Sequence, residues 1–192
     1  TVVIIGAGGH LCTSFSYGFA QSKCKLILLD IRNNKLKSLK KNIQKKINSE
    51  ILTYKIDATK KNDHIKVLKL ILKKVPNVDI LINGAGINDS TPFFDIQHSN
   101  WENVVDSQLT ATLFGCQVFG EHMIKNKKGS IINISSASAG PPLSKAFAYS
   151  AAKSGIKNLT QNLGREWGNK GVRVNALRPG FFPTEWNKKN FI

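Results

Sequence analysis

What this chain has little of narrows its class before any motif is read. It holds three cysteines, Cys12, Cys24 and Cys116, an odd number without a CxxC spacing. Neither a disulfide framework nor a zinc site is indicated, so no metal is expected. No signal-type apolar region and no run of about 18 apolar residues occurs, so the expectation is a cytoplasmic protein with no membrane partner. Acidic residues are scarce, 12 against 28 basic ones, which leaves a formal charge of +16. Such an excess raises a nucleic-acid reading. The scarcity of arginine argues against it, because only 4 of the 28 basic residues are Arg and bidentate recognition of phosphate or guanine uses the planar guanidinium. The lysines are spread over segments such as NKLKSLKKNIQKK and HIKVLKLILKK, where apolar residues form an inner stripe; they read as solvated helix faces, and no nucleic acid is expected. Internal repeats are absent too.

What is present is an alternation of short apolar runs and amphipathic segments over 192 residues, one domain's length. The run VVII at 2–5 stops at Gly6, as a strand buried on both faces would, and GAGGHLC opens a helix that leads to a second strand, KLILLD, at 25–30. Leu36, Leu39, Ile43 and Ile47 mark a helix, 51–57 a strand, Ile65, Leu68, Leu72 and Val75 a helix, and 78–83 a fourth strand. A long helix over 99–126 follows, with Trp101, Val105, Leu109, Leu113 and Val118 inward, then strands at 130–135 and 172–177 around a helix at 149–168. The fold predicted is α/β, a Rossmann-type doubly wound parallel sheet with helices on both faces, as a single domain over 1–192. The reading expects the chain to be cut at both ends, with a C-terminal strand missing.

Two places in this pattern carry chemistry. The glycine turn after the first strand exposes backbone N–H groups at a helix N-terminus, so a pyrophosphate is expected over Gly6, Gly8 and Gly9. Asp30, ending the second strand, suits ribose hydroxyls and repels a 2′-phosphate, which favours NAD over NADP, although Arg32 could turn toward such a phosphate. A GxGxxG template starting at Gly6 finds Leu11 where its last glycine should be, so this loop alone is a weak sign. In the second place, SKAFAYSAAKSG, Tyr149 and Lys153 stand four residues apart and share a helix face. A lysine ammonium beside a phenol favours the phenolate, so the pair is expected to exchange a proton near neutral pH. Ser136, thirteen residues earlier in IINISSASAG, adds a hydroxyl.

GAGG, NGAG at 83–86, Ser136 with YSAAK at 149–153, and RVNALRPG at 173–180, in this order, resemble the short-chain dehydrogenase/reductase family over essentially the whole chain. The resemblance implies that Tyr149 is the catalytic acid/base, that Lys153 lowers its pKa and holds the nicotinamide ribose, and that Ser136 orients a carbonyl or alcohol. It implies Asp57, with Ala58, at the adenine amine, and Asn83, with Gly84 and Ala85, on the adenine ribose side. Pro179, Gly180 and Thr184 would cup the nicotinamide. His10 and Cys12 stand where the family's TGxxxGxG loop has its second and third glycines; His10 could donate to a phosphate, and Leu11 lies between them. NGAG replaces NNAG, and Gln108 replaces the Asn of the proton relay. The nearest branch in pattern holds fructuronate (mannonate) oxidoreductases and gluconate 5-dehydrogenases, which would place Ser138, Pro141, Pro142, Phe182, Glu185, Trp186 and Asn187 on the substrate side.

The function expected is hydride transfer between NAD, with NADP as the alternative, and a secondary alcohol or ketone of a sugar acid or polyol. Reduction of a 3-oxoacyl thioester on an acidic carrier protein is the rival within the chemistry, and a non-catalytic nucleotide-binding protein the rival outside it. The family's use of the two long helices for subunit packing implies a homodimer or homotetramer.

Overall fold

Every residue of Val2–Ile5 is buried, and in the computed structural model this run, β1, lies inside a six-stranded parallel sheet. The structure describes residues 1–141 and 143–182. After β1 come α1 (His10–Gln21), β2 (Leu26–Asp30), α2 (Asn33–Gln44), β3 (Ile51–Lys55), α3 (Lys61–Leu72) and β4 (Ile80–Asn83). The rest is α4 (His98–Val105), α5 (Ala111–Lys125), β5 (Gly129–Ile134), α6 (Phe147–Trp167) and β6 (Val172–Leu177). The strand order is β3-β2-β1-β4-β5-β6. The chain therefore winds outward from β1, then returns to its other side at β4, pairing Val2 with Ile80 and Ile5 with Asn83. That reversal leaves a crevice at the carboxyl ends of β1 and β4, where an open α/β sheet binds its ligand.

Two cores explain why the central strands read as unbroken apolar runs. Val3, Ile5, Ile27 and Leu29 pack with Val67 and Ile71 of α3 and Phe119 and Met123 of α5. Val2, Ile4, Leu26 and Leu28 face the other way, onto Cys12 and Ala20 of α1 and Leu36, Leu39 and Ile43 of α2. β3 is shorter than the predicted 51–57 and only half-buried past Ile51, because an edge strand has a neighbour on one side only.

Two helices depart from the predicted phase. In α3 the buried residues are His64, Val67 and Ile71, while Leu72 is exposed; a histidine takes the core position because its ring finds a carbonyl partner there. The expected helix over 99–126 is interrupted by a π-helical turn, Asp106–Thr110. A π turn takes in one extra residue, which rotates everything after it by roughly 100°. The inward residues are Val104, Gln108, Thr112, Cys116 and Phe119 together with the expected Val118; Trp101 lies in α4 before the π turn and is exposed, so the stripe is out of phase from its start.

Candidate active site

The crevice at the β1 and β4 ends is a cleft of about 310 Å³ lined by Gly6, Gly9, Asp30, Asp57, Ala58, Gly84 and Ala85, among others. Its floor depends on close backbone approach. Gly6 sits at φ +79°, and a Cβ there would come within 2.6 Å of the Ala85 amide nitrogen, so no side chain fits between the two strand ends. α1 starts at His10 with Gly9 as its N-cap and no side-chain cap. The amides of its first turn, those of His10 and Leu11 included, have no helical acceptors and stand at the positive end of the helix dipole. These features fit a pyrophosphate held by backbone N–H groups at Gly9, His10 and Leu11 over the Gly6 floor. Gly8 departs from the expectation: its amide is committed to Asp30 Oδ2 at 2.9 Å.

Asp30 is buried at the tip of β2. Burial works to raise its pKa, but the Arg32 side chain and the backbone N–H groups of Arg32 and Gly8 outweigh it and hold the carboxyl below its ordinary range. Across the cleft Asp57 turns back on its own loop, its Oδ1 accepting from the Thr59 hydroxyl at 2.7 Å and the Thr59 amide at 3.0 Å. The loop is braced from beneath by His64, whose Nε2 lies 2.8 Å from the Ala58 carbonyl oxygen. Only a protonated nitrogen can bond a carbonyl, so Nδ1 is the bare one, and it is buried without a partner near the Phe114 and Phe119 rings.

That arrangement has a consequence for acid stability. Burial lowers the His64 pKa, so the unfolded chain binds the proton more readily, and the stabilisation, complete above the unfolded value of about 6.5, is lost as pH falls through the folded one. His64→Gln keeps a donor for Ala58 and cannot titrate. Thermal midpoints between pH 7.5 and 5 are expected to fall less in the variant than in the wild type; parallel curves would remove His64 as the cause.

The second cluster gathers where β5 ends and α6 begins. Lys153 is buried on the sheet side of α6, and its Nζ donates to the Ile134 carbonyl at 2.5 Å while lying 5.4 Å from the Tyr149 ring centroid. Burial brings the Lys153 ammonium down to about 7. The expected depression of Tyr149 is not found: burial raises its pKa, with the Ser136 hydroxyl opposing. The physical reason is that the ammonium is directed at a backbone carbonyl and the ring face, not at the phenol oxygen, and the surroundings disfavour both charged forms. Ser136 Oγ accepts from the Ser138 amide at 3.2 Å and the Ser138 hydroxyl at 3.0 Å. With both lone pairs taken, its own proton is left to donate.

Pro179 is tied to this cluster, and Gly180 follows it in the chain. The Ala137 amide donates to the Pro179 carbonyl at 2.9 Å, and Arg178 donates to the carbonyls of Ser136 and Ala137, both at 3.2 Å. Thr184, Pro142, Glu185, Trp186 and Asn187 lie outside the described residues.

Two expected site residues serve the walls instead. Asn83 is buried, its Nδ2 donating to Asn133 Oδ1 at 2.8 Å, and Asn133 in turn bonds Thr160 of α6 at 3.0 Å. Its side chain ties β4 to β5 and does not line the cleft. Gln108, in the π turn, donates from Nε2 to the Ile87 carbonyl at 2.7 Å, while Ser107 Oγ accepts the Ile87 amide at 3.1 Å. Among the described residues no hydrogen bond joins Gln108 to Tyr149 or Lys153, so the side chain braces the Gly86–Ile87 wall.

Sequence reasoning missed Ile31, Thr59, Gly86, Ile87 and Ser107 in the cleft lining, and Arg178. Arg178 and Gly86 stood inside the quoted motifs; the others carry no signal that spacing could reveal. Among the described residues no group of three or more His, Cys, Asp or Glu could hold a metal ion, and no helix is long and apolar enough to cross a membrane.

With this geometry in view, comparison with known proteins is specific. The family model for short chain dehydrogenases matches residues 1–191. An NAD-dependent glycerol dehydrogenase of Listeria innocua is 31% identical, the match covering 97% of this chain and 72% of that protein. A gluconate 5-dehydrogenase of Gluconobacter oxydans is 32% identical over 69% of this chain and 52% of its own length. A solved oxidoreductase from Haemophilus influenza with bound NAD superposes with a TM-score of 0.91 at 33% identity, over 97% of this chain and 72% of that one.

Proposed function

This chain belongs to the short chain dehydrogenase family, and from that premise we propose that it oxidises a secondary alcohol of a sugar acid or polyol, or reduces the matching ketone, with NAD. It is an oxidoreductase of the NAD(P)-dependent kind. The observation that carries the proposal is the Ser136, Tyr149 and Lys153 cluster at the mouth of a sheet whose adjoining strand ends form a dinucleotide cradle. The cradle suits NAD: a glycine floor, an uncapped helix N-terminus for the pyrophosphate, and a carboxylate at Asp30 where the adenosine ribose belongs.

When bound, the nicotinamide exchanges a hydride with the substrate carbon. The chain supplies the rest. Ser136, whose hydroxyl bonds the Tyr149 phenol, turns its proton to the substrate oxygen and orients it. Tyr149 takes the hydroxyl proton during oxidation and returns it during reduction. Lys153, held beside the ring by its bond to the Ile134 carbonyl, would hold the nicotinamide ribose when the cofactor is bound.

The substrate class leans on the relatives that act on glycerol and gluconate. The +16 charge favours one rival, a thioester on an acidic carrier. Steady-state rates decide between them. A kcat/KM at least about tenfold higher for a sugar acid or polyol than for a 3-oxoacyl thioester is expected, that being the discrimination of one well-made contact; the reverse order, with strong suppression by salt, would replace the proposal. The same reading includes a homo-oligomer, for which the groove lined by Leu68, Val118, Ile124 and Trp167 offers apolar surface. Light scattering is expected to give the mass of a dimer or tetramer, and the mass of one chain would refute it.

A further inference from the structure

Strand pairing does not by itself place Ser136. The register between β5 and β6 runs to Ile134 opposite Leu177, and the Ser135 amide still reaches the Leu177 carbonyl at 2.8 Å. Ser136 and Arg178 lie just beyond, where the two strands part. The segment after Ser136 is a single 3-10 turn, Ala137–Ala139, with Ser136 as its N-cap, closed by the Ala139 amide on the Ser136 carbonyl at 3.1 Å. One short turn of this kind does not hold its own place. Its position comes from bonds made to it from outside. From α6 the Ser154 hydroxyl donates to the Ala139 carbonyl at 3.3 Å; on the β6 side the Pro179 carbonyl takes the Ala137 amide at 2.9 Å, and Arg178 supplies the rest.

Arg178 Nε donates to the Ser136 carbonyl and its Nη2 to the Ala137 carbonyl, both at 3.2 Å. One planar guanidinium thus spans two successive peptide units, and the Ser136 carbonyl has both lone pairs in use. The side chain is exposed and belongs to neither core, so what it contributes is these two bonds. We propose that Arg178 is a positioning residue that acts through Ser136: it ties the serine turn to the segment at Pro179 and Gly180, and so sets where the Ser136 hydroxyl meets the substrate oxygen. Without the guanidinium the two carbonyls pass to water and the Ala137 amide becomes the remaining tie to Pro179. The hydroxyl then occupies positions from which the substrate oxygen is out of line with Tyr149. This role goes beyond the function proposed above and rests on its assignment of Ser136.

Arg178→Leu removes both donors and leaves the backbone tie. With gluconate or glycerol, whichever the wild type oxidises faster with NAD, kcat is expected to fall about 10- to 100-fold, the effect of displacing a reacting group by about 1 Å. The NADH Kd is expected to stay within about threefold of wild type, because the amides that take the pyrophosphate lie at the far strand ends. The deciding readout is the same substitution in a Ser136→Ala background, where it is expected to lower kcat less than about twofold, since the group it positions is gone. Arg178→Lys reaches one carbonyl and not both, and its kcat is expected to fall between those of wild type and Arg178→Leu. Hydrogen exchange at the Ala137 amide, expected to be about tenfold faster in Arg178→Leu, reads the loosened turn without any substrate. Equal losses of kcat in the two backgrounds overturn the inference and leave Arg178 a general support of the fold, and so does an unchanged kcat in Arg178→Leu. Wild-type protein that oxidises neither substrate overturns the proposed function instead; faster exchange at Ala137 then upholds the tie, and unchanged exchange overturns it.

Discussion

Tyr149→Phe is expected to lower kcat at least about 1000-fold while the NADH Kd stays within about twofold of wild type, general acid–base transfer being worth 10² to 10⁴. The substitution removes one oxygen and nothing else. The ring that Lys153 lies beside, 5.4 Å from its centroid, stays in place, as does the helix that carries both. Without the phenol, the substrate proton has no side chain to go to: Ser136 holds its position as a donor, since both of its acceptor sites are used by Ser138, and Lys153 is directed at Ile134. Stopped-flow and steady-state assays with the same substrate would separate this from a folding defect, and a circular dichroism melt on the same sample controls for stability. Turnover near wild type in the variant would dismiss Tyr149 as the acid/base, whatever its spacing from Lys153.

Gly84→Ala is expected to destabilise the fold. A Cβ at Gly84 would lie 2.2 Å from Cys12 Sγ, and that sulfur has no free direction to move, because Cys12 is 2% exposed and packs among Ile4, Leu28 and Ile82. Overpacking of this kind costs about 1–3 kcal/mol, which lowers the melting point of a domain this size by roughly 2–12 °C. Cys12→Ala should relieve it. In a double-mutant cycle the two substitutions are expected to couple by about 1–3 kcal/mol, and strict additivity would show that the contact is not the cause. The pair explains two departures from the family pattern at once. Where the glycine loop carries a thiol at Cys12 instead of its third glycine, NGAG carries Gly84 instead of an asparagine, and the space released by one is filled by the other. The loop therefore keeps its place over Ala85 despite the altered motif.

Much of the fold was legible because the central strands are buried on both faces, and burial of that kind writes itself as a run: Val2–Ile5 and Leu26–Asp30 need no partner to be recognised. The ends of those runs also pointed to the cleft, since Gly6, Asp30 and Asn83 stand at strand ends and Asp57 two residues past one, and a parallel sheet brings such ends together. Helix phase was less secure. The stripe through Trp101, Val105 and Leu109 is one residue out of phase from α4 onward, where Val104 and Gln108 are buried instead, and Gln108 and Ser107 reach back to Ile87, a partner no local pattern marks. His64 reads as one more polar residue in a lysine-rich helix, and nothing local says that the Ala58 carbonyl waits for it.

The residue types of the site, their order and the strand ends that carry them were thus decided by local pattern, because apolar periodicity and backbone geometry act over a few residues. What each group does with its bonds was decided only on folding. Lys153 spends its ammonium on Ile134, Asn83 on the neighbouring strand, Gly8 and Arg32 on Asp30. Hydrogen-bond capacity is finite, and partners far apart in the chain compete for it, so a carboxylate that looks free for a ribose in the sequence can already be filled in the structure.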